Sequence, residues 1–262
     1  MADDKLKIEQ DGKVVILTLN DPATLNAASS EMVEALAQAI GRVHSGDLAC
    51  RAVVLTGEGR AFCSGANLAG RNKPGTGGAD AGERLENLFN PLMRRLRELP
   101  VPLVTAVKGP AAGVGCSLAL MGDIVVCGES GYFLQAFGRI GLVPDGGSTW
   151  ILPRRIGKAR AMEMMLLAEK VDAATALSWG LVNRVVPDEA LMSTALSLAT
   201  RLAEGPASIG MIRQLVWKAM DLDHDDALDA ERWTQKDAGA TTDFAEGVSA
   251  FLEKRPAKFT GA

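Results

Sequence analysis

Two apolar, β-branched runs, Ala52–Thr56 (AVVLT) and Val101–Val107 (VPLVTAV), each empty into a turn of small residues, and these exits constrain the fold most. The first is Arg60–Leu68 (RAFCSGANL) and the second is Lys108–Leu118 (KGPAAGVGCSL). Small residues let one backbone approach another, or a ligand, without side-chain interference. The second exit opens into a short apolar helix, Cys116–Met121, whose N-terminus carries unpaired N–H groups and a partial positive charge. Two backbone amides converging on one carbonyl oxygen would stabilise an enolate.

The rest of the chain sets bounds around that pair. Its 262 residues can bury a full core, in one domain or one domain with a helical appendage. With 28 basic and 32 acidic residues the net charge is −4, so no global field draws it to nucleic acid or to anionic lipid. No apolar run reaches membrane-span length, and the charged start (MADDKLKIEQ) lacks the apolar stretch of a signal peptide, so a cytoplasmic protein is expected. Cys50, Cys63, Cys116 and Cys127 are scattered with no CxxC pair, as expected of reduced, buried thiols.

Along the chain, residues 13–20 read as a strand that Asp21-Pro22 ends. Ser29 and Ser30 can cap a helix with Met32, Leu36, Ala39, Ile40 and Val43 at helical spacing. Residues 70–82 form a glycine-rich loop, and Glu83–Leu99 an amphipathic helix with Leu85, Leu88, Leu92, Leu96 and Leu99 on one face. A further strand is predicted at Asp123–Val126. Alternating strands and helices point to an α/β architecture with parallel pairing. After Ile140–Gly147 (IGLVPDGG) strands are predicted to stop, giving way to helices at 158–168, 173–179, 188–204, 207–220, 224–237 and 243–253. Gly205-Pro206 is the clearest boundary, so a catalytic core is expected over 1–200 and a helical C-terminal region over 201–262.

Four stretches in order, AFCSGANL, AVKGPAAGVGCSLALMGDIVV, IGLVPDGGSTWILPRRIG and DFAEGVSAFLEKRPAKFTG, resemble the signatures of the crotonase (enoyl-CoA hydratase/isomerase) superfamily. Within it, GLVPDGG–TW–LPR and the NPLMRRLRELP helix resemble the ring-opening 1,2-epoxyphenylacetyl-CoA isomerase branch of phenylacetate catabolism. The resemblance implies a crotonase-like spiral of ββα units with C-terminal helices that mediate trimerisation, as a trimer or a dimer of trimers. It implies an acyl-CoA thioester substrate, with coenzyme A as part of that substrate, no tightly bound cofactor and no metal. The implied oxyanion-hole donors are the amides of Ala66 and Val114. Val114 stands where glycine is usual, and its β-branched side chain would narrow the pocket. The implied CoA contacts are Leu25, Ser64, Gly65, Ala66, Asn67 and Leu68, with Lys254 reaching a neighbouring subunit's CoA. The basic residue common near the first of these is Ala23 here, and Arg71 or Lys73 could supply the phosphate contact instead.

Hydratases of this family resemble one another in two glutamates that handle water. The corresponding positions here are Ser117 and Phe137, and neither is a carboxylate. A serine needs a partner to act as a base, and a phenylalanine carries no proton. Asp145, directly after Pro144, occupies the place where isomerase branches put a proton-transferring aspartate. An apolar setting among Leu142, Val143 and Trp150 would suit a base that must later act as an acid. Read without the resemblance, Asp145 is favoured as a cap for a helix starting near Gly147.

Other chemistries fit less well. Ser117 beside the second turn lacks GxSxG spacing, and His44 and His224 read as surface groups, which argues against a serine hydrolase. No HxxxH or cysteine pair suggests a metal, and the GxG at 113–115 lacks the third glycine of a dinucleotide fingerprint. The isomerase is the favoured reading. A hydratase acting on 2-enoyl-CoA, or a non-catalytic acyl-CoA- or RNA-binding relative, are its alternatives.

Overall fold

The structure, a computed structural model, describes residues 5–67, 80 and 82–262 of the chain. A six-stranded sheet organises it, with strands in the order β1, β2, β3, β4, β6, β9. Strand β1 (Leu6–Asp11) pairs antiparallel with β2 (Val14–Leu19), in register Leu6 with Leu19 and Asp11 with Val14. From there β3 (Ala52–Gly57), β4 (Leu103–Val107), β6 (Ile124–Gly128) and β9 (Arg184–Val186) run parallel to β2 and to one another. A smaller sheet joins β5 (Pro110–Ala112), β7 (Tyr132–Leu134) and β8 (Val171–Asp172).

Strands β2, β3, β4 and β6 are largely apolar because both faces are covered. All six residues of β3 are buried. One face (Leu17, Val53, Leu55, Leu103, Val125) packs against α1 (Ser30–Ser45), α2 (Asn90–Arg97) and α3 (Val114–Leu120). The other (Val14, Ala52, Val54, Val104, Val126) packs against α6 (Leu191–Ala203). Helix α1 starts as its sequence predicts: the Ser29 hydroxyl accepts from the Met32 amide at 3.2 Å, and the helix buries Met32, Leu36, Ala39, Ile40 and Val43. Gly46, at φ 83°, ends it.

Three expectations are corrected. Strands do not stop after Gly147, because β8 and β9 follow and β9 closes the sheet against β6. With two and three residues, they are too short to show a period of two. The N-terminal strand β1 shows no alternation either, since only Leu6 of its six residues is buried. Helix α4 (Ser148–Leu167) begins ten residues before the predicted 158, with a non-helical break at Gly157 (φ 77°, ψ 158°) that separates its two halves. The predicted 83–99 helix begins with a π-helical turn at Leu85–Phe89, and Leu92, Leu96 and Leu99 are the buried members of its leucine face.

Beyond α5 (Ala173–Trp179) and α6, Gly205 and Pro206 precede α7 (Ser208–Ala219), α8 (His224–Gly239) and α9 (Thr242–Glu253). Helix α7 is fixed to the sheet by Arg213, 5% exposed, which donates to the Leu96, Arg97 and Leu99 carbonyls that α2 leaves unpaired. Its Nε meets Asp123 at 2.6 Å, and Asp123 also accepts from the Trp217 indole and the Leu103 amide.

Candidate active site

The two glycine turns lie side by side, backbone against backbone. The Cys63 amide donates to Pro110 O, and the Ala112 amide returns to Cys63 O, both at 2.9 Å. A Cβ placed on Gly113 would sit 3.8 Å from the Gly65 Cα, so a single methyl would fill the space between the residues preceding Ala66 and Val114. Two approaches are closer still: a Cβ on Gly109 would fall 2.0 Å from Arg60 O, and one on Gly115 of helix α3 2.4 Å from Cys63 O, gaps that glycine alone fits.

The direction of the two amides follows from their neighbours' bonds. Ala66 bridges Ala28 in parallel fashion, through Ala28 N to Gly65 O (2.8 Å) and Asn67 N to Ala28 O (3.2 Å). The Ala66 N–H between them therefore faces away from Ala28. Val114 is the first residue of α3, whose N-terminus carries no side-chain cap, and the amides that reach back to Gly113 O are those of Cys116 and Ser117. The Val114 amide is thus one of the helix's leading donors. Its side chain, 1% exposed, belongs to the core, so the crowding expected of valine goes into packing beneath the turn.

Segment 21–28 is joined to the first turn. The Ser64 amide donates to Leu25 O and the Ser64 hydroxyl to Thr24 O, each at 2.9 Å. Leu25 and Asn26 hold left-handed conformations (φ 58° and 56°) that non-glycine residues seldom adopt, and the Asn26 side chain fixes them by donating its Nδ2 to Ala61 O at 2.8 Å. The structure therefore gathers Leu25, Ser64, Gly65, Ala66 and Asn67 in one place. Leu68, Arg71 and Lys73 lie outside the described residues, as does most of the 70–82 loop. Lys254 stands apart from this group, exposed at the left-handed cap of α9.

Asp145 sits in a turn followed by two left-handed glycines, Gly146 (φ 59°) and Gly147 (φ 81°), and its Oδ1 is fully buried. Gly147 is the N-cap of α4 and no side chain caps that helix, so Asp145 is not its cap. Val143 is 78% exposed and contributes nothing to the apolar setting expected for Asp145. The polar setting was not foreseen. The Ser117 and Ser148 hydroxyl oxygens each lie 2.9 Å from the Asp145 carbonyl oxygen, which also accepts from the Ser148 amide at 3.1 Å. The two hydroxyls are 2.6 Å apart, and Gln135 Nε2 donates to Ser148 Oγ at 3.1 Å. A lone glutamine in the apolar run YFLQAF was the available signal, but nothing local names its partner. Phe137, 7% exposed, lies with its ring tip 3.7 Å from the Cβ position of Gly113, beside the second turn.

The other nucleophiles are inert. Burial pushes the Cys63 thiol up to about 11 and the Cys116 and Cys127 thiols to about 12, and all four cysteines are free. His44 and His224 are both exposed, bonded to Arg95 O and Asp225, so Ser117 has no imidazole partner and a triad is excluded. Among the described residues no cluster of three metal-ligating side chains occurs, and no helix is long and apolar enough to cross a membrane.

Residues 9–262 match the family model described as enoyl-CoA hydratase/isomerase. The chain belongs to the enoyl-CoA hydratase/isomerase family. It is 47% identical over 250 residues to the 1,2-epoxyphenylacetyl-CoA isomerase of Escherichia coli K12, covering 95% of each chain. It is 41% identical over 253 residues to a probable enoyl-CoA hydratase of Rhodobacter capsulatus, again covering 95% of each. The crystal structure of a putative enoyl-CoA hydratase/isomerase from Mycobacterium abscessus superposes with a TM-score of 0.91 at 35% identity, over 98% of this chain and all of that one. The enoyl-CoA hydratase/isomerase fold is thus the α/β architecture described above, and members of the family are enzymes. The molecule's large groove, about 960 Å³, lies elsewhere: α7, α8 and α9 line it, and none of the residues of the glycine turns does.

Proposed function

We propose that this protein is an acyl-CoA isomerase that shifts a double bond, or opens an epoxide, through an enolate held by the Ala66 and Val114 amides. The observation that carries this reading is the distribution of carboxylates. Ser117 is buried in hydrogen bonds, Phe137 is a buried ring, and Asp145 alone offers a carboxyl on the turn packed against α3. A C–H adjacent or vinylogous to a thioester is a weak acid, and two amide donors on the thioester oxygen stabilise its conjugate base. Asp145 takes the proton from one carbon and, in a double-bond shift, returns it to another carbon of the dienolate; with an epoxide the enolate's electron pair breaks a C–O bond and the proton goes to the freed oxygen, so either product has the mass of the substrate. Coenzyme A is then carried as part of the substrate, against Leu25 and Ser64–Leu68, with Lys254 serving the site of an adjoining subunit.

The name of the 47% identical relative supports 1,2-epoxyphenylacetyl-CoA as the specific substrate. The name of the 41% identical relative keeps a hydratase as the second reading. Incubation with 3-enoyl-, 2-enoyl- and epoxyphenylacetyl-CoA, followed by mass detection, separates them. Isomerisation at constant mass is expected, and a product of 2-enoyl-CoA heavier by one water would establish the hydratase. Asp145→Asn is expected to fold and bind CoA thioesters but to lose isomerisation by roughly 10³-fold. Full activity in that variant removes Asp145 from the mechanism.

The division into a core over 1–200 and a helical region over 201–262 extends the proposal, with copies associating through α7–α9 as trimers or dimers of trimers. Exposed Phe244, Val248, Phe251 and Leu252 along α9 support this. Sedimentation of the purified protein tests it, a monomer being the contrary result.

A further inference from the structure

Ser117, Ser148 and Gln135 are each fully buried, and their polar groups converge on the main chain of the residue that carries the carboxyl. Three neutral polar side chains in a core are costly unless they bond one another. Two hydroxyl hydrogens and one amide N–H account for these contacts, and Gln135 Oε1 takes no part in them. Gln135 Nε2 donates to Ser148 Oγ, one hydroxyl donates to the other at 2.6 Å, and the remaining hydroxyl hydrogen goes to Asp145 O. Whichever serine lies last, the same carbonyl is held, and the Ser148 amide holds it as well.

The placement of Ser117 gives this cluster its consequence. It lies three residues after Val114 on the same helix, so its hydroxyl, 2.9 Å from Asp145 O and 2.6 Å from Ser148 Oγ, ties the carboxyl-bearing turn to the element that presents the second amide. The turn needs such a tie, because Gly146 and Gly147 bring no side chains of their own to hold it. Contact tightens the link: a Cβ on Gly146 would fall 2.7 Å from Ser117 Cβ and 2.9 Å from Met93 Cε, so the turn rests directly on the serine.

We propose that Ser117 and Ser148, oriented by Gln135, are positioning residues that register the Asp145 carboxyl against the Ala66 and Val114 amides. This rests on the reading of Asp145 as the proton-transferring group. Proton transfer between carbons depends steeply on distance, and an error near 1 Å costs on the order of 10²-fold. A serine at position 117 is then a working part of an isomerase site.

The test is steady-state kinetics on 3-enoyl-CoA and epoxyphenylacetyl-CoA with Ser117→Ala, Ser148→Ala, Asp145→Asn and the control Thr105→Val. Thr105, equally buried, donates its hydroxyl to the Ala119 carbonyl of α3 at 2.7 Å, so the control removes a similar bond from the other end of the same helix. Both serine variants are expected to lose roughly 10- to 100-fold in kcat with KM within about 2-fold, while Thr105→Val lowers Tm similarly and leaves kcat within about 2-fold. Should Ser117→Ala fail to fold, Ser148→Ala removes the other hydroxyl on the same carbonyl and carries the test. Serine variants with unchanged kcat, or a control that loses as much as they do, overturn the positioning role. If Asp145→Asn is inactive while the serine variants are normal, only this inference fails; a fully active Asp145→Asn defeats the isomerase reading itself.

Discussion

The two ends of the chain solve burial in opposite ways. In the sheet region, α1 alone hides six apolar side chains, and the glycine turns pack so closely that backbone meets backbone. In the C-terminal helices, the buried residues are Arg213 in α7, Ala230 in α8, and Asp243 and Ala250 in α9. Ile212, Leu228, Phe244 and Val248 are exposed instead, with Phe251 83% and Leu252 74% exposed along the groove. The first region is complete within one chain and can hold a site to close tolerances. The second is attached to it by polar bonds and presents a surface a single chain leaves uncovered.

Cutting the attachment should have the largest effect. Arg213→Met removes a buried cation from Asp123 and from three α2-end carbonyls, and is expected to cost about 4 kcal/mol in chemical denaturation. A loss below about 1 kcal/mol would mean that α7 is held by its apolar contacts. Gly115→Ala tests the other region, because its methyl would meet Cys63 O. It is expected to cost about 3 kcal/mol and to lower activity together with stability, by forcing the two turns apart.

The C-terminal clasp is weaker. Asp243, 2% exposed, accepts from the Ala207, Thr260 and Gly261 amides. Burial alone would push its carboxyl up, but these donors outweigh that and hold it below the usual aspartate range. A depressed folded pKa contributes stability above the unfolded value, near 3.9, and that contribution fades as pH falls through the folded value. Asp243→Asn is expected to cost about 2 kcal/mol at neutral pH and to shrink the acid-side loss below about pH 4, both read from Tm against pH. The smallest change is Phe251→Ser, expected to move the isolated chain's stability by less than about 0.5 kcal/mol. Its effect should appear in the sedimenting mass instead, and an unchanged mass would show that α9 covers no neighbour.

Sequence pattern was sufficient wherever the physics is local. The Ser29 cap, the α1 face and the buried runs of β3 and β4 follow from caps and periods within a few residues, and the two exits announce themselves through glycine. Resemblance in four stretches led to Asp145, Ala66 and Val114, and the structure puts Asp145 on the turn packed against α3 and the other two on the touching glycine turns. What pattern missed is long-range. The return of β9 to β6 joins residues almost 60 apart, and the Ser117–Ser148 bond spans 31, so neither leaves a local period. The outward turn of α9 also escaped it, since an amphipathic stripe does not state which surface will cover it. Local bonding preferences thus decided β2 to β4, α1 and the two glycine exits from sequence alone. Only the tertiary structure decided which polar groups meet, because burial makes each find a partner and chain folding determines which partner is in reach.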